Sequence, residues 1–140
     1  MRYLLDTNVV SEPLKVSPDE RVLRWLGSRP AADFAICVLT IGELQKGITA
    51  LASGRRIAAL EKWLAVELPR QFSGRVLPID EETALSWGRM SAKALAVGRP
   101  LPVIDGLLLA CAEARGLTFV TRNEGDCSGR GVALINPWME

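Results

Sequence analysis

Apolar and polar positions alternate along the chain in blocks of two lengths. Tyr3-Leu4-Leu5 and Phe34-Ala35-Ile36-Cys37-Val38-Leu39 are short continuous apolar runs of strand length. Neither alternates cleanly, which is the pattern of strands covered on both faces. Between them Pro18 opens a helical stretch in which Val22, Leu23, Trp25 and Leu26 recur at helix spacing, closed by Gly27 and Pro30. A second helix is predicted from Thr40 toward Ala52, ended by Gly54. A third lies within 55–72, where Ile57, Leu60, Leu64 and Leu68 repeat every three or four residues and Pro69 marks an end or kink. Val76-Leu77-Pro78-Ile79 predicts a short strand. Asp80 then caps a helix containing Ala84, Leu85, Trp87 and Leu95, with Gly98 closing it. Pro102 starts another helix through Arg115, Gly116 stops it, Leu117 to Thr121 predicts a strand, and Val132 to Ile135 a weak last one before Asn136-Pro137.

Short apolar strands alternating with helices predict an α/β fold with a largely parallel sheet and helices on both faces. The 140 residues suit one domain, expected over 1–140, because 49% hydrophobic residues supply a substantial core and no repeat, low-complexity tract or linker interrupts the pattern. A net charge of +1 rules out a global basic field, so a polyanionic partner must be held locally.

Cysteines 37, 111 and 127 are odd in number and lack CxxC spacing, and two sit in apolar stretches; they predict a reducing, cytoplasmic setting. The start MRYLLDTN is too short in apolar residues for a signal peptide, and no stretch approaches the ~20 needed to span a membrane, so a soluble, unexported protein is expected. Histidine is absent, which removes Ser-His-Asp and Cys-His nucleophiles, a histidine base and imidazole zinc sites. Any catalysis falls to carboxylates.

In an open parallel sheet, ligands gather beyond the carboxyl ends of the strands. Four acids are predicted there: Asp6 after the first strand, Glu43 in the first turn of the helix after the second, Asp105 near the start of the helix before the fourth, and Asp126 after that strand. Each has a structural explanation. Thr40-x-x-Glu43 reads as a capping box, Asp105 favours a helix dipole, and Asp6 and Asp126 suit turns. Asp105, however, lies in the nearly all-apolar helix Leu101 to Ala112, where a buried unpaired charge costs several kcal/mol. Asp6 ends a buried strand and meets the same difficulty; too few basic residues lie beside these acids in sequence to be obvious partners, although Arg122 and Lys46 are within reach. Crowded carboxylates need a proton or a cation between them. Mg²⁺ or Mn²⁺ suits such oxygen ligands and supports phosphodiester hydrolysis without histidine.

The segments LLDTNVVSE (4–12), LTIGELQKGI (39–48), PVIDGLLLACAEARGL (102–117), VTRN (120–123) and NPW (136–138) resemble, in order and spacing, a PIN-domain ribonuclease of the bacterial VapC/FitB toxin type. The resemblance implies a PIN-like three-layer α/β/α sandwich and a metal-dependent endoribonuclease whose acids are Asp6, Glu43 and Asp105. The fourth position departs from the FitB pattern, which has aspartate where Asn123 stands; Asp126 three residues on matches VapC-type relatives, with Asn123 in support. Asp6 and Asp105 would be primary ligands of Mg²⁺ or Mn²⁺, with Glu43 and Asp126 ligands or base. Thr7, Asn8, Thr121 and Asn123 would surround them, although a simple post-strand turn also explains Thr7 and Asn8. The resemblance further implies a toxin with an RNA substrate, held by a small cognate antitoxin, forming a homodimer and meeting operator DNA only through the antitoxin. Trp25, Trp63, Trp87 and Trp138 suit core or interface alike. Arg55, Arg56, Lys62, Arg70, Arg75, Arg89, Lys93 and Arg99 suit either an RNA track or soluble helix surfaces. Two other readings compete. A haloacid-dehalogenase-like phosphatase also has aspartate after its first strand but wants a second where Asn8 stands, and a catalytically inert binding module would keep the acids as relics.

Overall fold

A computed structural model describes residues 1–51 and 54–140, leaving out the Arg55 side chain. Five parallel strands, β1 (Tyr3–Leu5), β2 (Phe34–Cys37), β3 (Val76–Leu77), β4 (Thr118–Val120) and β5 (Leu134–Ile135), form one sheet in the order β3-β2-β1-β4-β5. The chain builds outward from β1 through β2 to β3 and then crosses to β4 on the other side. The direction of winding therefore reverses between β1 and β4, where Tyr3, Leu4 and Leu5 pair with Thr118, Phe119 and Val120. The helices are α1 (Thr7–Ser11), α2 (Glu20–Gly27), α3 (Val38–Thr49), α4 (Arg55–Lys62), α5 (Leu68–Gln71), α6 (Glu81–Ala96), α7 (Val103–Ala114) and α8 (Glu124–Cys127).

The period of two along the strands sorts side chains into two cores. Tyr3, Leu5, Phe34, Ile36 and Val120 face a cluster completed by Val9, Val22, Trp25, Leu44, Leu64, Leu68, Phe72 and Trp138. Leu4, Ala35, Cys37, Leu77 and Phe119 face the other, completed by Met90, Leu108, Leu109, Cys111, Ala112 and Cys127. The result is a three-layer α/β/α sandwich, with all three cysteines buried and free. Among the described residues no helix is long and apolar enough to cross a membrane.

Several boundaries differ from expectation. Strand β2 stops at Cys37, because its partner β3 pairs only with Ile36 and Cys37; Val38 and Leu39 already belong to α3. Helix α2 begins at Glu20, capped by Asp19, rather than at Pro18. The expected end of the second helix at Ala52 lies outside the described residues. Pro69 does not end its helix. A π-helical turn over Trp63–Glu67, in which the Leu68 amide reaches back to the Trp63 carbonyl, lies just before the proline, and helix resumes to Gln71. Pro102 caps α7 rather than occupying its first turn. On α6 the buried positions are Thr83, Ser86, Met90 and Ala94, while Leu85 and Leu95 stay exposed.

Candidate active site

The sequence places an aspartate directly after β1, at the point where the winding reverses and strand-to-helix loops converge. Asp6 is only 6% exposed and donates its main-chain amide to Val120 of β4 at 2.9 Å, continuing the ladder. Its carboxylate accepts from the Thr7 amide (2.7 Å), Thr121 Oγ1 (2.7 Å) and Asn8 Nδ2 (3.3 Å). These donors fix its direction, and Thr121 is itself fully buried. The carboxyl is nonetheless pushed above its ordinary value. Burial is the main cause, outweighing the Thr121 and Thr7 bonds, and the charges of Asp105 and Glu43 add to it.

Glu43 arrives from α3. With Cys37 as N-cap and no side-chain capping bond, the Thr40-x-x-Glu43 capping box is not formed, and Glu43 sits in the second turn. Thr40 points into the interior with no exposure. Thr7 Oγ1 lies 3.3 Å from Thr40 Oγ1 and donates to Glu43 Oε1 at 2.5 Å, which turns the glutamate toward Asp6's helix. Thr40 is thus a site residue whose sequence signal was read as a cap.

Asp105 lies in the first turn of α7, half-buried rather than buried, because Val103 and Ile104 before it are exposed and the helix goes under cover only from Gly106. Its carboxyl is also raised, by burial first and then by Asp126 and Glu43. Asn123, which caps α8, donates through Nδ2 to both Asp105 Oδ2 and Asp126 Oδ2 at 3.2 Å, and its Oδ1 accepts from the Asp126 amide at 3.3 Å. The exposed Asp126 is thereby tied to Asp105 through one amide group. Beneath them the Cys127 thiol is pushed up to about 12 by burial and by the charges of Asp105, Asp6 and Asp126.

All four sequence-predicted acids therefore share one rim, and Thr7, Asn8, Thr121 and Asn123 each touch at least one of them. Among the described residues no basic side chain pairs with them. Among the described residues the ion pairs are Lys15 with Glu12, Arg21 with Asp19, and Arg115 with Asp80. Arg122 and Lys46, the expected candidates, pair with none of the four; Arg122 lies over the Trp138 ring at 5.1 Å. Glu12, the acid closing the first motif, is no part of the rim and is buried against Lys15 and the Asp19 amide. Three members of the basic set are committed to main-chain carbonyls, Arg56 to Leu14, Arg75 to Ala31 and Gln71, and Arg99 to Gly125 and Ser128, so they support folding rather than an open track. Arg55's side chain lies outside the described residues.

As a donor set the rim consists of carboxylate oxygens with amide and hydroxyl neighbours, the chemistry preferred by a hard divalent cation. Mutually repelling acids that have no basic partner among the described residues fit such an ion. Among the described residues no three acidic or cysteine side chains are drawn tightly enough to hold one as they stand.

Comparison with known proteins gives the family and supports the fold. The PIN domain family matches residues 3–126. Toxin FitB of Neisseria gonorrhoeae is 37% identical over 137 residues, covering 98% of this chain and 99% of that protein. VapC ribonuclease Y4jK of Sinorhizobium fredii is 33% identical over 135 residues, covering 96% of each. The crystal structure of FitAcB from Neisseria gonorrhoeae superposes with a TM-score of 0.94 at 36% identity over 99% of both chains. A structure of FitAB bound to an IR36 DNA fragment gives 0.92 at 34% identity, over 97% of this chain and 95% of that one. The phosphatase reading falls with this result, and Asn8, where that pattern wants a second aspartate, binds Asp6 instead.

Proposed function

The chain belongs to the PIN-domain family, beside FitB and the VapC-type ribonucleases, and from that premise we propose that it is a metal-dependent endoribonuclease, the toxin of a toxin–antitoxin pair. The observation that carries this reading is the rim itself, where Asp6 is held against the charges of Asp105 and Glu43, and Asp105 against those of Asp126 and Glu43, with no basic partner among the described residues. Asp6 and Asp105 would hold Mg²⁺ or Mn²⁺, with Glu43 and Asp126 beside them. Bound there, the ion supplies Lewis acidity, which acidifies water and neutralises charge on a phosphodiester.

The chain's own residues do the rest. Thr7, Asn8 and Thr121 aim the Asp6 carboxylate, and the Thr121 and Thr7 bonds offset part of the effect of its burial. Thr7 holds Glu43 through one carboxylate oxygen, Oε1, leaving the other to orient a water or take its proton. Asn123 keeps Asp105 and Asp126 from separating. The unit acting is one PIN-like domain over 1–140, in the cytoplasm and as a homodimer, inhibited by a small cognate antitoxin and reaching operator DNA only through it. The FitAB complex on DNA is the support for the last two partners.

The test uses purified protein with Mg²⁺ or Mn²⁺ and RNA, single-stranded DNA and a phosphomonoester as substrates, beside EDTA and Asp6→Asn controls. RNA alone should be cut. Cleavage that survives chelation or the substitution overturns the metal reading, and no cleavage of any substrate favours an inert module.

A further inference from the structure

Helix α8, which presents Asp126 and Asn123, has only four residues. Isolated helices this short are unstable in water, and the last carbonyls of any helix lack helical partners. Within α8 the Cys127 and Ser128 amides use the carbonyls of Asn123 and Glu124. The carbonyls of Gly125, Asp126 and Ser128 are met by two arginines. Arg99 donates through Nη2 to Gly125 O and through Nη1 to Ser128 O, both at 2.7 Å. Arg130 donates through Nε to Asp126 O at 3.0 Å and through Nη1 to Arg99 O at 2.8 Å. The second contact joins the loop leading into α7, and so toward Asp105, to the turn carrying Asp126.

The geometry depends on the planar guanidinium fork, which reaches two carbonyls from one side chain as an ammonium does not. It also depends on Gly129. Its φ of +72° is left-handed, and a β-carbon there would sit 3.4 Å from Arg99 Nη1.

We infer that Arg99 and Arg130 are positioning residues of the acidic rim: they grip the α8 turn by its main-chain carbonyls and so keep Asp126 and Asn123 presented to Asp105. This rests on the reading that Asp126 belongs to the set that holds the metal.

The experiment is a double-mutant cycle read by Mn²⁺ binding in calorimetry, with melting temperature and RNA kcat alongside. Arg99→Gln and Arg130→Gln should each weaken Mn²⁺ binding about tenfold, the size expected for loss of a group that orients a ligand. Arg99→Lys, which keeps the charge, should not rescue it, and Gly129→Ala should weaken it with both arginines in place. In an Asp126→Ala background the arginine substitutions should cost less than they do alone, leaving only the part that acts through Asn123. Unchanged Mn²⁺ binding in the arginine variants, or full additivity with Asp126→Ala, overturns the inference. An arginine variant that melts earlier yet binds Mn²⁺ normally does the same, because it assigns the clamp to stability alone. An Asp6→Asn protein that binds Mn²⁺ and cuts RNA normally overturns instead the metal reading on which the inference stands.

Discussion

Two corners of the molecule treat acids in opposite ways. At the end of α7, Arg115 donates to Asp80 Oδ2 at 3.2 Å, to Thr83 Oγ1 and to the Pro78 carbonyl, while Asp80 caps α6 by accepting from the Thr83 amide and hydroxyl. The Thr83 bonds, with help from Arg115, hold the Asp80 carboxyl below its ordinary value. At the rim, Asp6 and Asp105 lie above theirs. One acid is where the fold wants a negative charge; the others are kept where the fold resists one. Acids maintained against the preference of their surroundings are the mark of a site built for something outside the chain.

The largest effect that would sharpen this contrast is catalytic. Asp6→Asn or Asp105→Asn is expected to lower RNA cleavage by at least about 10³-fold, since several kcal/mol of charge stabilisation go with the metal. Asp80→Ala should leave the rate unchanged. Rates at saturating Mn²⁺ decide the matter, and an equal loss in all three variants would erase the distinction between the corners. Next in size is Asn123→Ala, expected to cost about 10- to 100-fold in rate or metal affinity by releasing Asp105 and Asp126 from one another.

Stability should move the other way. Removing the cap with Asp80→Ala lowers the melting temperature by a few degrees, whereas Asp105→Asn in metal-free buffer raises it slightly, a change seen by calorimetry. The smallest effect is the pH dependence. Because the folded Asp105 value lies above 3.8, the unfolded chain loses that proton first. The stability Asp105 contributes in acid is therefore lost as pH rises from about 3.8 through its elevated value. The melting difference between Asp105→Asn and the parent should open over that interval and then stay constant. Asp80 has the reverse sign, its contribution present above 3.8 and lost as pH falls through its depressed value. A gap that closes with rising pH at Asp105 would show that the rim is not strained.

Much of this was legible in the chain because strand ends, helix stops and the four acids carry local signals. Gly98 and Gly116 stop their helices with φ of +69° and +65°, as their positions suggested. Asp6 was visible as a charge ending a buried strand. Other features depend on pairing that sequence does not display. Val38 and Leu39 are as apolar as the strand before them, and only the lack of further β3 partners ends β2 at Cys37. That shift of boundary also removed the capping box from Thr40 and gave the threonine to Thr7. Asp105 is less buried than its apolar surroundings in sequence imply, because an apolar run does not tell which of its residues the sheet covers. The sequence offers Arg99 only as a surface or RNA-track charge and gives Arg130 no role, since the bonds from Arg99 to Ser128 and from Arg130 to Arg99 join distant positions and follow no spacing.

The bond between Thr121 and Asp6 spans 115 positions of sequence. During synthesis the first aspartate emerges early but stays unaimed until β4 has left the ribosome and paired beside it. A nascent or truncated polypeptide lacking that strand is therefore expected to be harmless to the RNA around it, so activity waits on the synthesis of β4 and Thr121.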